Sequence, residues 1–146
     1  MSNAYRIMKS GLVLEVWVGR ITMEEFIEHE RRQLLDPKIP SAPQVVVDIS
    51  RASFEPSIEE KEIQQVVDLY QHHRDKAAGA RVAIVAGKEF ERASLFGRLA
   101  EREKINVIVF NTITTACVWL GVNEPEVREW VDRTHAELLG APPSDV

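Results

Sequence analysis

The 146-residue chain carries 18 Lys and Arg against 23 Asp and Glu, a formal charge of -5 with its four histidines neutral. That length suits one domain with one core, and 45% hydrophobic with 28% charged residues excludes the low-hydrophobicity signature of disorder. The basic residues are interleaved with acids, as where Arg31-Arg32 follow Glu28 and Glu30, which argues against nucleic-acid binding because phosphate neutralisation needs a basic face.

The one cysteine, Cys117, excludes an intrachain disulfide and a multi-cysteine zinc site and fits a reducing compartment. No apolar run reaches the roughly 18 residues a membrane span needs, and the N-terminus lacks a charged stretch leading into an apolar signal core. A cytoplasmic protein with no integral membrane segment is expected. Ser2-Asn3-Ala4 has the composition of a cloning remnant and is left out of the expected fold.

In chain order, Tyr5 to Met8 and Leu12 to Val18 are β-rich runs joined by Lys9-Ser10-Gly11, which predicts an antiparallel hairpin. Thr22 and Glu25 form a capping box, and a helix follows to about Leu35 with Met23, Phe26, Ile27 and Leu34 on its buried face and Glu28 to Arg32 mostly outside. Three prolines between Asp36 and Pro43 end it. Gln44 to Ile49 reads as a central parallel strand, followed by a loop from Ser50 to Pro56. Ser57 and Glu60 give a second capping box before a long helix ending at Gly79. Arg81 to Ala86 is a strand, Glu89 to Arg102 a helix and Asn106 to Phe110 a strand. Thr112 to Leu120 is a short helix closed by Gly121, and Asn123 opens a last amphipathic helix through Val127, Trp130, Val131, Thr134 and Leu138.

The order β-β-α-β-α-β-α-β-α over residues 5–121 resembles the STAS and SpoIIAA-like superfamily, whose domain is shared by sulfate transporters and anti-sigma-factor antagonists. The most local likeness is Val46-Val47-Asp48-Ile49-Ser50-Arg51-Ala52-Ser53-Phe54-Glu55-Pro56-Ser57, which is similar to the family's strand, loop and helix start ending in Asp-Ser-Ser-Gly. Ala116-Cys117-Val118-Trp119-Leu120-Gly121 is similar to the close of many SpoIIAA-like cores. The expected architecture is α/β: a mixed, mostly parallel five-stranded sheet with an N-terminal antiparallel hairpin, helices on both faces and an extra C-terminal helix over 122–140, then a loose tail over 141–146. The resemblance implies a non-catalytic regulatory or partner-binding module, with Ser57 at the position phosphorylated in the antagonists. Here Pro56 replaces the aspartate before that serine, and Ile58 with Glu59 replaces the Ser-Gly after it.

Ligands of open parallel sheets sit outside the carboxyl ends of the strands. Those ends bring Asp48, Ser50 and Ser53, Gly87 and Lys88, and Asn111 and Thr112 into question, with Ser57 at the following helix. They either hold a small anionic ligand on helix N-termini or serve as ordinary caps, the commoner use. His29, His72, His73 and His135 show no ligand spacing, so no metal is expected; His73 extends an apolar helix face and reads as a packing residue. Ser53 and Ser57 lack a nucleophile elbow, and no catalytic residue or cofactor is assigned. In the helix from Glu89 to Arg102, Leu95 and Leu99 lie well round from Phe90, Ala93, Gly97 and Ala100. Either that helix is deeply buried, or Leu95 and Leu99, with Trp130, belong to a partner, homodimer or lipid surface. A small-ligand domain for an anion, nucleotide or lipid, with that helix mobile, is the second reading, and an enzyme the third.

Overall fold

The computed structural model describes residues 2–140; the tail expected over 141–146 lies outside the described residues. Strand β2 (Val13–Ile21) is apolar on both faces over most of its length, as a strand inside a covered sheet must be. It pairs antiparallel with β1 (Asn3–Ile7) and parallel with β3 (Gln44–Phe54). The parallel ladder continues through β4 (Arg81–Ala86) to β5 (Asn106–Phe110). This is the mixed, mostly parallel five-stranded sheet that the sequence implies. Asn3 and Ala4 pair with Trp17 and Val16, so the supposed cloning remnant is part of β1.

The spatial order of the strands is the chain order, β1-β2-β3-β4-β5. Crossovers of one hand between successive parallel neighbours deliver their helices to one side of the sheet. Helices α1 (Met23–Leu35), α2 (Glu60–Gln71) and α4 (Phe90–Ala100) pack together there, with α3 (Arg74–Ala77) following α2. The opposite face is left to the elements after the last strand, α5 (Ile113–Leu120) and α6 (Glu124–Leu138). Val127 and Val131 of α6 are in one core with Leu14, Val16, Val46 and Val85, so this helix, expected as an extension, closes half of the core. On the first face, Trp17, Ile21, Ile49 and Ile84 meet Phe26, Val66 and Ala93.

Several boundaries differ from expectation. β3 runs five residues beyond Ile49, because Val18 to Ile21 of β2 continue to pair with Arg51 to Phe54. The long helix breaks at His72-His73, where the turn leads into α3, and His73 is only half-buried. The second capping box lies two residues later than expected: Glu59 is the N-cap of α2 and donates its N–H to Glu62 Oε1 at 3.0 Å. The reason is Ile58, which is fully buried and fixes the turn, leaving Ser57 exposed outside the helix. At α1 the box forms as expected, with the Glu25 N–H donating to Thr22 Oγ1 at 3.1 Å. Thr22→Ala is therefore expected to lower stability by about 1 kcal/mol, and Ser57→Ala to stay within about 0.5 kcal/mol of wild type. Urea melts of the two variants check this pair.

Candidate functional site

A cavity of about 130 Å³ lies between the sheet and α1, α2 and α4. Its sheet wall is formed by the side chains of β2, β3 and β4 that point away from α5 and α6, among them Trp17, Val47 and Ile84. Its helix wall includes Phe26, Tyr70, Ala93 and Phe96. Mostly apolar, it has a polar end made by Glu15, Glu30, Gln33 and Tyr70.

That polar end is a closely bonded buried cluster. Glu15 sits in β2 opposite Val47, on the inward face, and is 4% exposed. Its Oε2 accepts from Trp17 Nε1 at 2.8 Å and its Oε1 from Gln33 Nε2 at 2.6 Å. His29 of α1 is completely buried, its ring 4.5 Å from that of Trp17. Nδ1 of His29 lies 2.9 Å from Glu30 Oε2, and Nε2 lies 3.7 Å from Glu15 Oε2. Glu30 also accepts the Tyr70 hydroxyl.

Burial pushes the Glu15 carboxyl up, against the lowering influence of His29. For His29, burial opposes the charged form, but Glu15 and Glu30 outweigh it and raise the imidazole. Burial and the neighbouring Glu30 carboxylate lift the Tyr70 phenol far above its usual range. At the rim of this region Tyr5 donates to Asp36 Oδ2 at 2.7 Å, and burial together with that bond raises its phenol to about 12.

A second polar constellation lies across the sheet. Asp48 is buried in the middle of the observed β3, facing α6, and not at a strand end as expected. Ser50 Oγ donates to Asp48 Oδ1 at 2.6 Å and the Ser50 N–H does so at 2.9 Å. His135 Nε2 approaches the same oxygen at 3.4 Å. A nucleophilic triad needs the imidazole between serine and acid, whereas here both converge on the acid, so the arrangement tethers α6 to β3.

No family model matches the chain, and no curated protein matches it. Among solved structures, the crystal structure of an uncharacterized protein from the DUF3478 family with a SpoIIAA-like fold, from Shewanella loihica PV-4, is similar at a TM-score of 0.53. The match has 18% sequence identity and covers 82% of this chain and 94% of that one. This chain has the SpoIIAA-like fold.

On the SpoIIAA-like sheet, the residues expected around the strand ends are dispersed. Ser50 and Gly87 are neighbours: a Cβ on Gly87 would fall 3.1 Å from the Ser50 carbonyl oxygen. Ser53 lies in β3 opposite Arg20, and Lys88 and Asn111 are exposed. Thr112 caps α5, accepting the Thr115 N–H at 3.2 Å. The first turn of α4 is flanked by Glu89 and Glu91, and Glu89 Oε2 takes the Phe54 N–H at 3.0 Å. Leu99 is 5% exposed in the core with Val67 and Ile105, and the half-buried Leu95 packs against the same cluster, while Phe90 at the start of α4 is 38% exposed. Trp130 is half-buried against the core beneath α6.

The SpoIIAA-like scaffold places its polar cluster where sequence reading did not look. Glu15, His29 and Glu30 were missed because the stretch Glu28 to Arg32 was assigned to the outer face of α1. The available signal was Glu15 itself, the one charged residue in the apolar run Leu12-Val13-Leu14-Glu15-Val16-Trp17-Val18.

Proposed function

We propose that this chain is a small-ligand-binding domain whose ligand enters the cavity between the sheet and α1, α2 and α4. The cavity itself carries the reading: about 130 Å³ of mostly apolar space ending in Glu15, Glu30, Gln33 and Tyr70. An apolar cavity of about 150 Å³ holds a benzene-sized molecule, and a ligand pocket typically joins an apolar body to a few placed polar groups. The favoured occupant is a compact apolar molecule with one hydrogen-bonding head. A small-ligand domain is the second of the three readings open from sequence, there placed at the strand ends; here Ala93 and Phe96 bring α4 into the cavity wall. The partner-binding or regulatory reading, including a homodimer, draws support from Ile108 and Val118, exposed apolar residues on β5 at the sheet edge and on the following α5.

Toluene and benzyl alcohol are suitable probes, titrated against the methyl resonances of Val47, Ile49 and Ile84. Saturable shifts are expected in the wild type, and Val47→Phe, which fills the cavity from the sheet side, is expected to abolish them. Absence of saturable shifts in a folded wild type, or equal shifts in folded Val47→Phe, refutes the cavity as a binding site.

A further inference from the structure

His29 Nε2 is buried and has no hydrogen-bond partner among the described residues. A buried polar atom of that kind calls for an explanation, and its surroundings supply one. The carboxylate of Glu30 only accepts when ionised, so its 2.9 Å contact keeps a proton on Nδ1 of the neutral ring and leaves the Nε2 lone pair free. That lone pair faces Glu15 Oε2 at 3.7 Å, too far for a hydrogen bond. In the neutral ring two electron-pair donors thus confront one another across a short gap, which either a proton on Nε2 or a metal ion in its place relieves.

A tetrahedral ion with bonds of about 2.0–2.1 Å separates its ligand atoms by about 3.3 Å, a few tenths of an ångström from the spacing observed. The potential ligand atoms of Glu15, His29 and Glu30 all lie within 4.8 Å of one another. The Glu30–His29 pair also has the form of the carboxylate–histidine–metal relay, in which an outer carboxylate fixes the imidazole tautomer. Trp17 and Gln33, both donating to Glu15, hold the other carboxylate in place.

We propose that Glu15 and His29 bind a divalent transition-metal ion, with Zn²⁺ as the reference, that Glu30 orients the imidazole, and that the remaining coordination positions face the cavity. Imidazole with carboxylate oxygen is a ligand set suited to zinc and its first-row neighbours. The open positions would take water or the polar head of a molecule in the cavity. The site needs no cavity ligand to form, so it stands or falls apart from the binding function proposed above.

The test is calorimetric titration of the full chain with Zn²⁺ alone, backed by equilibrium dialysis and elemental analysis. One equivalent is expected to bind, with a rise in melting temperature. Glu15→Gln and His29→Gln are expected to remove stoichiometric binding, and Glu30→Gln to weaken it by about 10- to 100-fold. Circular dichroism identifies the variants that remain folded. Should His29→Gln fail to fold, the near-isosteric Glu15→Gln carries the test. No stoichiometric Zn²⁺ on the wild type overturns the proposal, as does undiminished binding by folded Glu15→Gln. A protein that binds toluene but not Zn²⁺ loses only the metal site; one that binds Zn²⁺ but no apolar probe loses only the cavity function.

Discussion

Trp17→Ala is expected to destabilise the protein by about 4 kcal/mol, near the upper end for a truncated core aromatic. Trp17 is 3% exposed and sits where several contributions coincide. Its ring packs edge-on to Phe26 with centroids 6.5 Å apart and lies tilted over His29. Its indole N–H is one of the two donors that satisfy the buried Glu15 carboxylate. Truncation enlarges an existing cavity and removes a hydrogen bond from a group that water cannot easily reach. Trp17→Phe restores most of the volume but not the donor, and should cost about half as much. Guanidinium unfolding of the two variants separates packing from hydrogen bonding; a loss below about 1 kcal/mol for Trp17→Ala would mean that the wall collapses freely around the gap.

Asp48→Ala is expected to cost about 3 kcal/mol or more, because it strips the acid from Ser50 and His135 together and leaves the buried imidazole facing no acceptor. The same carboxylate should set an acid limb in stability. Burial raises its pKa, but the His135 imidazole and the two Ser50 donors outweigh burial and hold it below the usual range. With the folded pKa depressed, the unfolded chain binds a proton first as the solution is acidified, at about 3.9. The stabilisation is complete above that value and is lost as pH falls through the folded pKa. Asp48→Asn removes the limb, so the stability gap between wild type and Asp48→Asn should shrink as pH falls below about 4. Denaturant midpoints measured at intervals through that pH decide it; a gap that widens in acid would reverse the assignment.

Much of the fold was legible because its signals are local. The apolar runs at Leu12 to Val18, Gln44 to Ile49 and Arg81 to Ala86 are all strands, and Thr22, Thr112 and Asn123 all cap helices. Errors arose where a tertiary contact overrode a local pattern. Ser57-x-x-Glu60 has the spacing of a capping box, but burial of Ile58 moves the helix start to Glu59. Ser50 to Phe54 is polar enough to read as a loop, yet β2 supplies a partner strand for it. The candidate site was less legible for the same reason. Glu15 and His29 are 14 positions apart and become neighbours only through the β2–α1 crossover, and no spacing rule covers a ligand pair built that way. Phe26 was correctly placed on the buried face of α1, but a helix this charged gave no reason to extend that face through His29 to Glu30 and Gln33.

The agreement of spatial strand order with chain order has a consequence for how the molecule is made. Each new strand joins the edge left by the one before it, so the sheet can grow in step with synthesis and never needs to open a completed ladder. The crossover helices cover one side as they emerge. The other side, with Leu14, Val16 and Val46, stays bare until α5 and α6 arrive, and α6 must return across the sheet to pack on β2. That docking is the longest-range event in the chain, and contacts between segments so far apart in sequence are the slow ones to form. A nascent chain halted before Glu124 therefore presents a complete five-stranded ladder whose face over β2 is still bare, the species that a chaperone would be expected to meet.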